Sequence, residues 1–320
     1  MTNFDDPSRF AGLVAPLLPT HFLHDIWPGA LHVSHETGPA LLSLIEQHEL
    51  RDIDAFCAIQ NGGGIHVNHT RGEGLRIDFG VDPGEAVRQY HAGNTIQILD
   101  LKTAEIGRWN RLLDGMLNLI PGTTLANGFA SLPGPGLPWH WDAQEVFIVQ
   151  VRGRKRWHVA PNEYVDWPTV NGMPTDQPPL ELAVQLKDPG APIREPETWQ
   201  EIEMRPGSVM FMPRGYWHRV ADNVDASLHL VLQVRMPNWR DLFRFMFDNV
   251  PALYDLEWRR PTAALSAMRL TTDAPREFAE RIASLQPLAQ AENLIALAQR
   301  FSALIESGSL YTNVAPERKY

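Results

Sequence analysis

Apolar and polar positions follow three different patterns along the chain. Residues 1–122 mix helical and strand-like spacing, and helical spacing is clearest over 38–50 and 104–120. Over 123–236 short apolar runs alternate with Pro-Gly and Arg-Gly turn signals, which is typical of a β-sandwich or small barrel. Helical spacing returns over 237–320 and predicts either a cap on the barrel or a dimerisation surface. The pattern therefore indicates a mainly β fold with α: an N-terminal α/β segment, a β core and a C-terminal helical region.

Two irregular segments interrupt these patterns. Residues 61–80 are glycine-rich and predict a connection between short strands, without the Gly-Lys-Ser/Thr ending of a phosphate-binding loop. Residues 160–200 are rich in proline and acidic side chains and are too long for a hairpin turn. We predict that 160–200 is an insert at the mouth of the barrel, where binding residues often lie.

Composition narrows the class of protein. The formal charge of −10 over 320 residues disfavours non-specific nucleic-acid binding. Cys57 is the one cysteine, which excludes a disulfide framework and a thiolate zinc cluster and predicts a core residue. The N-terminus is acidic where a signal peptide is basic, and no apolar run reaches the roughly 18 residues of a membrane span. We therefore expect a cytoplasmic protein that does not enter a membrane.

The segment "LPWHWDAQEVF" holds the first candidate metal ligands, His140 and Asp142. Residues two apart in a strand share a face, so these two side chains would converge while Trp141 points away. His218, in "GSVMFMPRGYWHRV", is the best candidate for a third ligand on a neighbouring strand. Two histidines and one carboxylate leave coordination positions open, as in non-haem Fe(II) oxygenases, whereas zinc more often has four ligands or three and a water.

Lys155 stands where a strand should show apolar side chains. In "RKRWHV" the alternation places Lys155, Trp157 and Val159 on one face, opposite Arg154 and Arg156. A lysine on an apolar face loses hydration, which is costly unless an anion neutralises it. The chain offers no obvious carboxylate partner in sequence, so we predict the carboxylate of a ligand. The alternative is a solvated hairpin end.

Other histidines and tryptophans are weaker candidates. Over 227–234 one face is partly polar and is predicted to look into the same cavity; it comprises Ser227, His229, Val231 and Gln233. His229 is either a group close to the ligands or a hydrogen-bonded core histidine. Four further histidines are predicted to be surface loop residues without carboxylate partners: His21, His24, His66 and His69. Three tryptophans are candidates for pocket walls, with plain packing as the alternative: Trp139, Trp141 and Trp217.

With these residues placed, the sequence resembles the JmjC-type cupin oxygenases, in particular the branch that contains the ribosomal-protein hydroxylases. Three segments carry the resemblance: "HFLHDIWPGALHVSH" (21–35), "ANGFASLPGPGLPWHWDAQEVFIVQVRGRKRW" (126–157) and "MRPGSVMFMPRGYWHRV…SLHLVLQV" (204–234). They occur in the family's order and spacing. The resemblance implies a double-stranded β-helix, or jelly-roll, core.

The resemblance also implies a site. Fe(II) would be held by His140, Asp142 and His218, and Lys155 would pair with the far carboxylate of 2-oxoglutarate. The positions of Asn127 and Ser227 often line the cosubstrate pocket in the family, and His229 is a further candidate there. This chain departs from the family at two positions: Phe129 stands where a tyrosine is common, and Val231 stands where a threonine is common. Two hydroxyl donors to the cosubstrate are thus missing.

The function implied is hydroxylation of an unactivated C–H bond with Fe(II), 2-oxoglutarate and O₂, on an amino-acid side chain of a protein or peptide. A free or carrier-bound amino acid, or another small metabolite, is the alternative substrate. Two alternatives lie outside the oxygenases: a non-catalytic metal-binding cupin sensor, and a zinc or manganese cupin isomerase or hydrolase. Roughly 80 residues follow the predicted barrel. The resemblance implies that this length suffices for the family's helical dimerisation segment but not for the winged-helix domain that follows it in the ribosomal-protein hydroxylases.

Overall fold

Two compact units make up the chain. One comprises residues 1–120 with 124–236, and the other 121–123 with 237–320. The structure is a computed structural model, and the residues that it describes are 7–36, 45–46, 48–59, 64–70, 75–101, 123–249, 265–266, 269–270, 274–283, 295–296, 299–301 and 303. The helix predicted over 104–120 lies outside the described residues. So does most of 38–50, of which 48–50 form a 3-10 turn.

The described α-helices are short. They are α1 (Pro7–Val14), α2 (Pro19–His21), α3 (Ile53–Cys57), α4 (Pro83–His91), α5 (Leu180–Ala183), α6 (Trp239–Asn249) and α7 (Ala274–Ala283). A π-helical turn, Phe22–Ile26, follows α2. None of the helices in these ranges combines the length and the apolar character that crossing a membrane requires.

Eleven strands are described before residue 236. They are β1 (His32–Ser34), β2 (Ile65–His69), β3 (Arg76–Phe79), β4 (Thr95–Ile98), β5 (Thr123–Ser131), β6 (Glu145–Arg152), β7 (Lys155–Ala160), β8 (Gln200–Met204), β9 (Val209–Met212), β10 (Trp217–Asn223) and β11 (Ser227–Arg235). An eight-stranded sheet has the order β1-β9-β6-β11-β5-β4-β2-β3, and a three-stranded sheet has the order β10-β7-β8. The predicted mainly β core is confirmed.

Strand β6 shows why the two sheets face one another. Its residues alternate between two buried faces, because Phe147 and Val149 belong to one apolar cluster and Val146 and Ile148 to another. The first cluster includes side chains of the N-terminal helices, such as Phe10 of α1. The second cluster includes side chains of both sheets and is the interior between them. A strand that is apolar on both faces fits only between two layers.

Two local predictions differ from the structure. His140 and Asp142 do not lie in a regular strand: His140 and Trp141 make isolated bridges, to His218 and Gly172. Residues 61–80 are not a simple connection, because they contain β2 and β3, paired antiparallel. Cys57 is fully buried, as predicted.

The second unit contains α6 and α7 and a two-stranded sheet, β12 (Leu265–Ser266) with β13 (Arg269–Leu270). The rings of Phe245 and Phe301 pack with their centres 5.3 Å apart. The helical character predicted for 237–320 is therefore present where the structure describes this region. Both roles considered for it, a cap and a dimerisation surface, stay predictions.

Candidate metal and cosubstrate site

His140, Asp142 and His218 come together in the structure. One ligand atom from each, an imidazole nitrogen or a carboxylate oxygen, lies within 4.8 Å of the others. The imidazole ring centres are 4.1 Å apart, and Nε2 of His218 lies 3.7 Å from Oδ2 of Asp142. Two nitrogen donors and one carboxylate at this spacing fit a divalent ion that keeps other coordination positions open. We call these three residues the metal triad.

The backbone orients both imidazoles. His140 and His218 exchange two backbone hydrogen bonds, of 3.0 and 2.8 Å. Nδ1 of His140 lies 2.7 Å from the carbonyl oxygen of Pro138, and Nδ1 of His218 lies 3.0 Å from that of Tyr216. Because a carbonyl oxygen only accepts, each Nδ1 carries the proton and each Nε2 keeps a lone pair for an ion. Burial, and then the neighbouring His140, lower the pKa of His218, so its imidazole is neutral.

A buried ion pair stabilises the turn that contains Arg214 and Gly215 and precedes His218. The side chains of Arg214 and Glu145 are 7% and 1% exposed, and two contacts of 3.1 Å join them. In this turn the amide of Gly215 donates to the carbonyl of Asp142 at 2.9 Å. Gly215 has a φ of +85°, a conformation that favours glycine. The turn therefore fixes Asp142 relative to His218.

Lys155 is buried near the triad. It is 1% exposed and shares its strand face with Trp157 and Val159, so the alternative of a solvated hairpin end is wrong. Its Nζ lies 2.7 Å from Nδ1 of His229, and no carboxylate of the described residues forms an ion pair with it. Burial lowers the pKa of Lys155 to about 7.

His229 connects Lys155 to an aromatic wall. Its ring stacks on Phe129, with centres 5.0 Å apart and planes 7° apart, and meets Trp157 edge-on at 5.4 Å. Burial, and then the charge of Lys155, lower the pKa of His229, so this imidazole is neutral. Because Nδ1 accepts from the ammonium group, the imidazole proton lies on Nε2, which is a donor.

One cavity of about 380 Å³ contains the triad, Lys155 and His229 in its lining. Phe129 and Val231 line it as well, and neither carries a hydroxyl group. Part of its wall is uncharged but polar, formed by Asn68, Thr95, Gln97, Ser131 and Gln233. Met173, which comes from the insert, lines the cavity and is 43% exposed, so the cavity reaches the surface there.

Two candidate residues are buried outside the cavity lining. Asn127 is 6% exposed and donates from Nδ2 to Oε1 of Gln233 at 3.3 Å. Ser227 is 2% exposed and donates from Oγ to Oδ1 of Asn223 at 3.2 Å. Asn127 therefore contacts a lining residue, Gln233, without lining the cavity itself. Ser227 does not line the cavity either.

The three candidate tryptophans also lie outside the lining, where they pack in an apolar cluster with side chains of the insert: Trp139, Trp141 and Trp217. Trp141 exchanges backbone hydrogen bonds of 2.9 and 3.1 Å with Gly172. A side chain at Gly172 would collide with the Trp141 indole. The packing alternative therefore describes these residues, and they fasten the insert beside the metal triad.

The four histidines predicted to be surface loop residues differ from that prediction in their local structure, although His21 and His24 are exposed as predicted. They lie in regular elements: His21 in α2, His24 in the π-helical turn, and His66 and His69 in β2. Two of them have carboxylate partners, because His24 lies 2.6 Å from Asp25 and His69 lies 2.8 Å from Asp78. None of the four lines the cavity.

Sequence reasoning missed most of the polar wall. Thr95 and Gln97 line the cavity from β4, in alternation with the buried Ile96 and Ile98. This strict alternation of polar and apolar residues is a signal that the sequence carries. Asn68 had no such signal, because its burial depends on the pairing of β2 with β4.

Comparisons with known proteins fit this geometry. Residues 102–242 match the model of a family described as JmjC domain. A solved structure of YcfD, a ribosomal oxygenase from Escherichia coli in complex with cobalt and 2-oxoglutarate, is similar with a TM-score of 0.51 and 17% identity. The similarity covers 90% of this chain and 71% of that one, and it confirms the predicted jelly-roll core.

Two curated relatives are similar in sequence. The uncharacterized protein YxbC of Bacillus subtilis is 29% identical over 73% of each chain. Ribosomal oxygenase 2 of Rattus norvegicus is 26% identical over 78% of this chain and 52% of the relative. The chain thus spans about half the length of the rat protein.

Proposed function

We propose that this chain, whose residues 102–242 match the JmjC domain family, is a 2-oxoglutarate-dependent oxygenase that hydroxylates an unactivated C–H bond on an amino-acid side chain of a protein or peptide. One observation carries the proposal. The metal triad, a buried lysine that pairs with no carboxylate of the described residues and a polar wall share one cavity that reaches the surface. An oxidative site needs each of these parts: a metal, a cosubstrate anchor and room for a substrate group.

The metal proposed for the triad is ferrous iron. Hydrogen bonds from Nδ1 orient both imidazoles and leave Nε2 of each as the atom that would bind the ion, and Asp142 supplies a carboxylate oxygen. This donor set fits Fe(II) and leaves open positions on one side. When bound, Fe(II) with 2-oxoglutarate and O₂ supplies an oxidant strong enough to break a C–H bond. The residues of this chain orient the ligands and limit the access of water.

Lys155 is proposed to hold the far carboxylate of 2-oxoglutarate. Burial of its ammonium group is energetically costly because the group loses hydration. The carboxylate of 2-oxoglutarate would offset this cost by forming an ion pair. His229 orients this group through Nδ1 and offers Nε2–H as a second donor. We propose that this second donor compensates for the two hydroxyl groups missing at Phe129 and Val231.

The role of His229 gives a direct prediction. In His229→Phe the ring stays able to stack on Phe129, while the acceptor and the second donor are both lost. At 0.5–1.5 kcal/mol for each hydrogen bond, we expect the KM for 2-oxoglutarate to rise about tenfold, with little change in kcat at saturation. Steady-state measurement of succinate formation gives both constants.

The matched control is His66→Phe, on β2 outside the cavity, for which KM should stay at the parent value. A variant at 229 with the parent KM would show that His229 does not contribute to cosubstrate binding.

The cavity also bears on the substrate. A volume of about 380 Å³ is at the small end for ligand pockets, and the cosubstrate takes part of it. The remaining space suits one side chain. The exposed Met173 marks an opening through which that side chain would enter, while the rest of the polypeptide would stay outside. The names of the rat and Escherichia coli relatives refer to ribosomes, which supports a protein substrate in general terms.

The proposed function is tested by coupling cosubstrate turnover to substrate oxidation. The protein is supplied with Fe(II), O₂, 2-oxoglutarate and a digest of ribosomal proteins, and His140→Ala is the comparison. We expect succinate formation that depends on O₂, on the triad and on peptide, and a peptide that gains the mass of one oxygen atom. Turnover stimulated by small amino acids but by no peptide would assign a small-molecule substrate. Metal binding without any turnover of 2-oxoglutarate would indicate that the protein is a non-catalytic metal-binding module.

A further inference from the structure

The insert carries an exposed apolar surface. We define the insert surface as Trp167, Met173, Leu180 and Val184, which are 56%, 43%, 78% and 68% exposed. Large apolar side chains exposed to this extent are common singly, but a concentration of them in one short segment indicates a binding surface. All four belong to the part of the chain between β7 and β8.

The insert is firmly built, so the exposure of these residues is not a result of poor packing. Helix α5 buries Leu182 against the tryptophan cluster, whereas Leu180 at its start and Val184 just after its end are exposed. The segment that carries Trp167 is tied to the residues after α5: the amide of Thr169 donates to Gln185 Oε1 at 2.9 Å, and Lys187 pairs with Asp166 at 2.9 Å.

The insert surface continues into the cavity. Asn171, Gly172 and Met173 line the cavity, and the segment from Trp167 to Met173 joins them to the outer part of the surface. Six residues span at most about 20 Å, the length of a short extended peptide. A polypeptide whose target side chain enters the cavity would therefore have its neighbouring residues within reach of the insert.

The charge of the insert indicates which polypeptide fits. Residues 161–199 contain seven acidic and two basic side chains, a formal charge of −5 out of −10 for the whole chain. The two basic residues pair with two of the acidic ones, Lys187 with Asp166 and Arg194 with Asp176. The five other carboxylates of the segment are exposed: Glu163, Glu181, Asp188, Glu195 and Glu197. A negative field of this kind attracts a basic chain and repels an acidic one.

We propose that the insert surface docks a basic polypeptide segment that flanks the hydroxylated residue, with apolar side chains of that segment seated on Leu180, Val184 and Trp167. The proposal rests on the proposed function, because it assigns a protein substrate to the same site. It adds a partner chemistry, positive charge combined with apolar side chains. It also assigns specificity to residues outside the cavity.

The test uses three fluorescein-labelled 15-residue peptides and the full chain. The first peptide contains five lysines or arginines and three leucines, the second replaces the basic residues by glutamate, and the third replaces the leucines by serine. Fluorescence anisotropy gives the Kd of each at low and at moderate salt. We expect the first peptide to bind at least about tenfold more tightly than either counterpart, with an affinity that falls as salt rises. Equal affinity for the acidic peptide would overturn the proposal.

Variants locate the binding. Leu180→Ser combined with Val184→Ser, and separately Glu181→Lys combined with Asp188→Lys, should each weaken binding of the basic peptide about tenfold. Because all four side chains are exposed, folding and Co(II) binding, both measured by thermal unfolding, should be unchanged. The controls are Leu18→Ser, an exposed leucine outside the insert, and Glu46→Lys, an exposed acid outside it. Equal loss in the controls would contradict the proposal.

The remaining outcomes are also decisive. If the serine variants leave peptide binding intact but abolish a concentration-dependent dimer in sedimentation, the insert surface is a contact between copies of this chain and the proposal is wrong. Failure of the proposed function would be seen separately. In that case the basic peptide binds to the insert surface, yet no peptide stimulates succinate formation.

Discussion

Asp142→Ala is expected to abolish metal-dependent activity while the metal-free fold stays intact. The substitution removes the one carboxylate donor of the triad and leaves two imidazoles, whose orientation depends on backbone carbonyls that the substitution does not touch. Loss of a ligand should reduce metal affinity by more than the 10- to 100-fold typical of residues that only support a ligand. O₂-dependent succinate formation should fall at least about 100-fold.

Thermal unfolding with Co(II) as the probe measures this effect without turnover. An ion that binds only the folded state, at 100 times its Kd, stabilises by about 2.7 kcal/mol. We expect the parent to show this increase in Tm and Asp142→Ala to lose it, with the Tm of the metal-free proteins nearly equal. The control is Asp25→Ala, since Asp25 is also a carboxylate beside a histidine but is 61% exposed and far along the chain from the triad. A cobalt-induced shift that survives in Asp142→Ala would place the metal elsewhere.

Lys155→Met is expected to have opposite effects on cosubstrate binding and on stability. Methionine fills similar space without the charge, so the carboxylate of 2-oxoglutarate would be buried without its partner. Leaving one member of a buried ion pair alone costs about 3–5 kcal/mol, which corresponds to a rise in KM of about 100-fold or more. In the absence of cosubstrate the same change removes a buried ammonium group, so the variant should be at least as stable as the parent despite the unpaired Nδ1 of His229.

The gain in stability should depend on pH with a defined sign. The pKa of Lys155 is about 7 in the folded protein and 10.5 in the unfolded chain. Between these values the unfolded chain binds more protons, so the parent becomes more stable as pH rises from about 7 to about 10.5. The variant lacks this group, and its advantage should be greatest below about pH 7 and shrink above it.

Chemical unfolding of metal-free and cosubstrate-free protein at pH 6, 8 and 9.5 measures this trend. Lys187→Met is the matched control, because Lys187 is 50% exposed and its ion pair with Asp166 lies on the surface. Its effect on stability should stay within about 1 kcal/mol at every pH. A variant at 155 that is much less stable than the parent at pH 6, with unchanged KM, would mean that Lys155 is a structural residue.

Much of the candidate site was predictable because its signals are local. His140 and Asp142 are two residues apart, so alternation predicted that their side chains converge. Alternation also placed Lys155 on the face of Trp157 and Val159, with a solvated hairpin end as the alternative. The predicted strand at 140–142 is instead a pair of isolated bridges, yet the side chains still converge. The side chains of His140 and Asp142 still converge with that of His218, because the bridge between His140 and His218 aligns the two segments in the way that paired strands are aligned.

The bond between Lys155 and His229 joins residues 74 positions apart, and the stack of His229 on Phe129 joins strands β11 and β5. Alternation tells which face of a strand a residue occupies, but not which residue faces it across the interior. The tryptophans beside the ligands were open to two interpretations for the same reason. Their contacts with the insert, and not their spacing, decided that they pack instead of lining the cavity.

The sequence by itself determined the class of fold and predicted the three residues that meet as the metal triad, since periodicity and short motifs can be recognised in single segments. It left the burial of Lys155 open, and the structure decided it. Only the tertiary structure decided the partner of Lys155, the position of Asn127 and Ser227 outside the cavity lining, the polar wall itself and the course of the insert to the cavity. Those features depend on which strands pair and in what register, and pairing is set by the packing of the whole core.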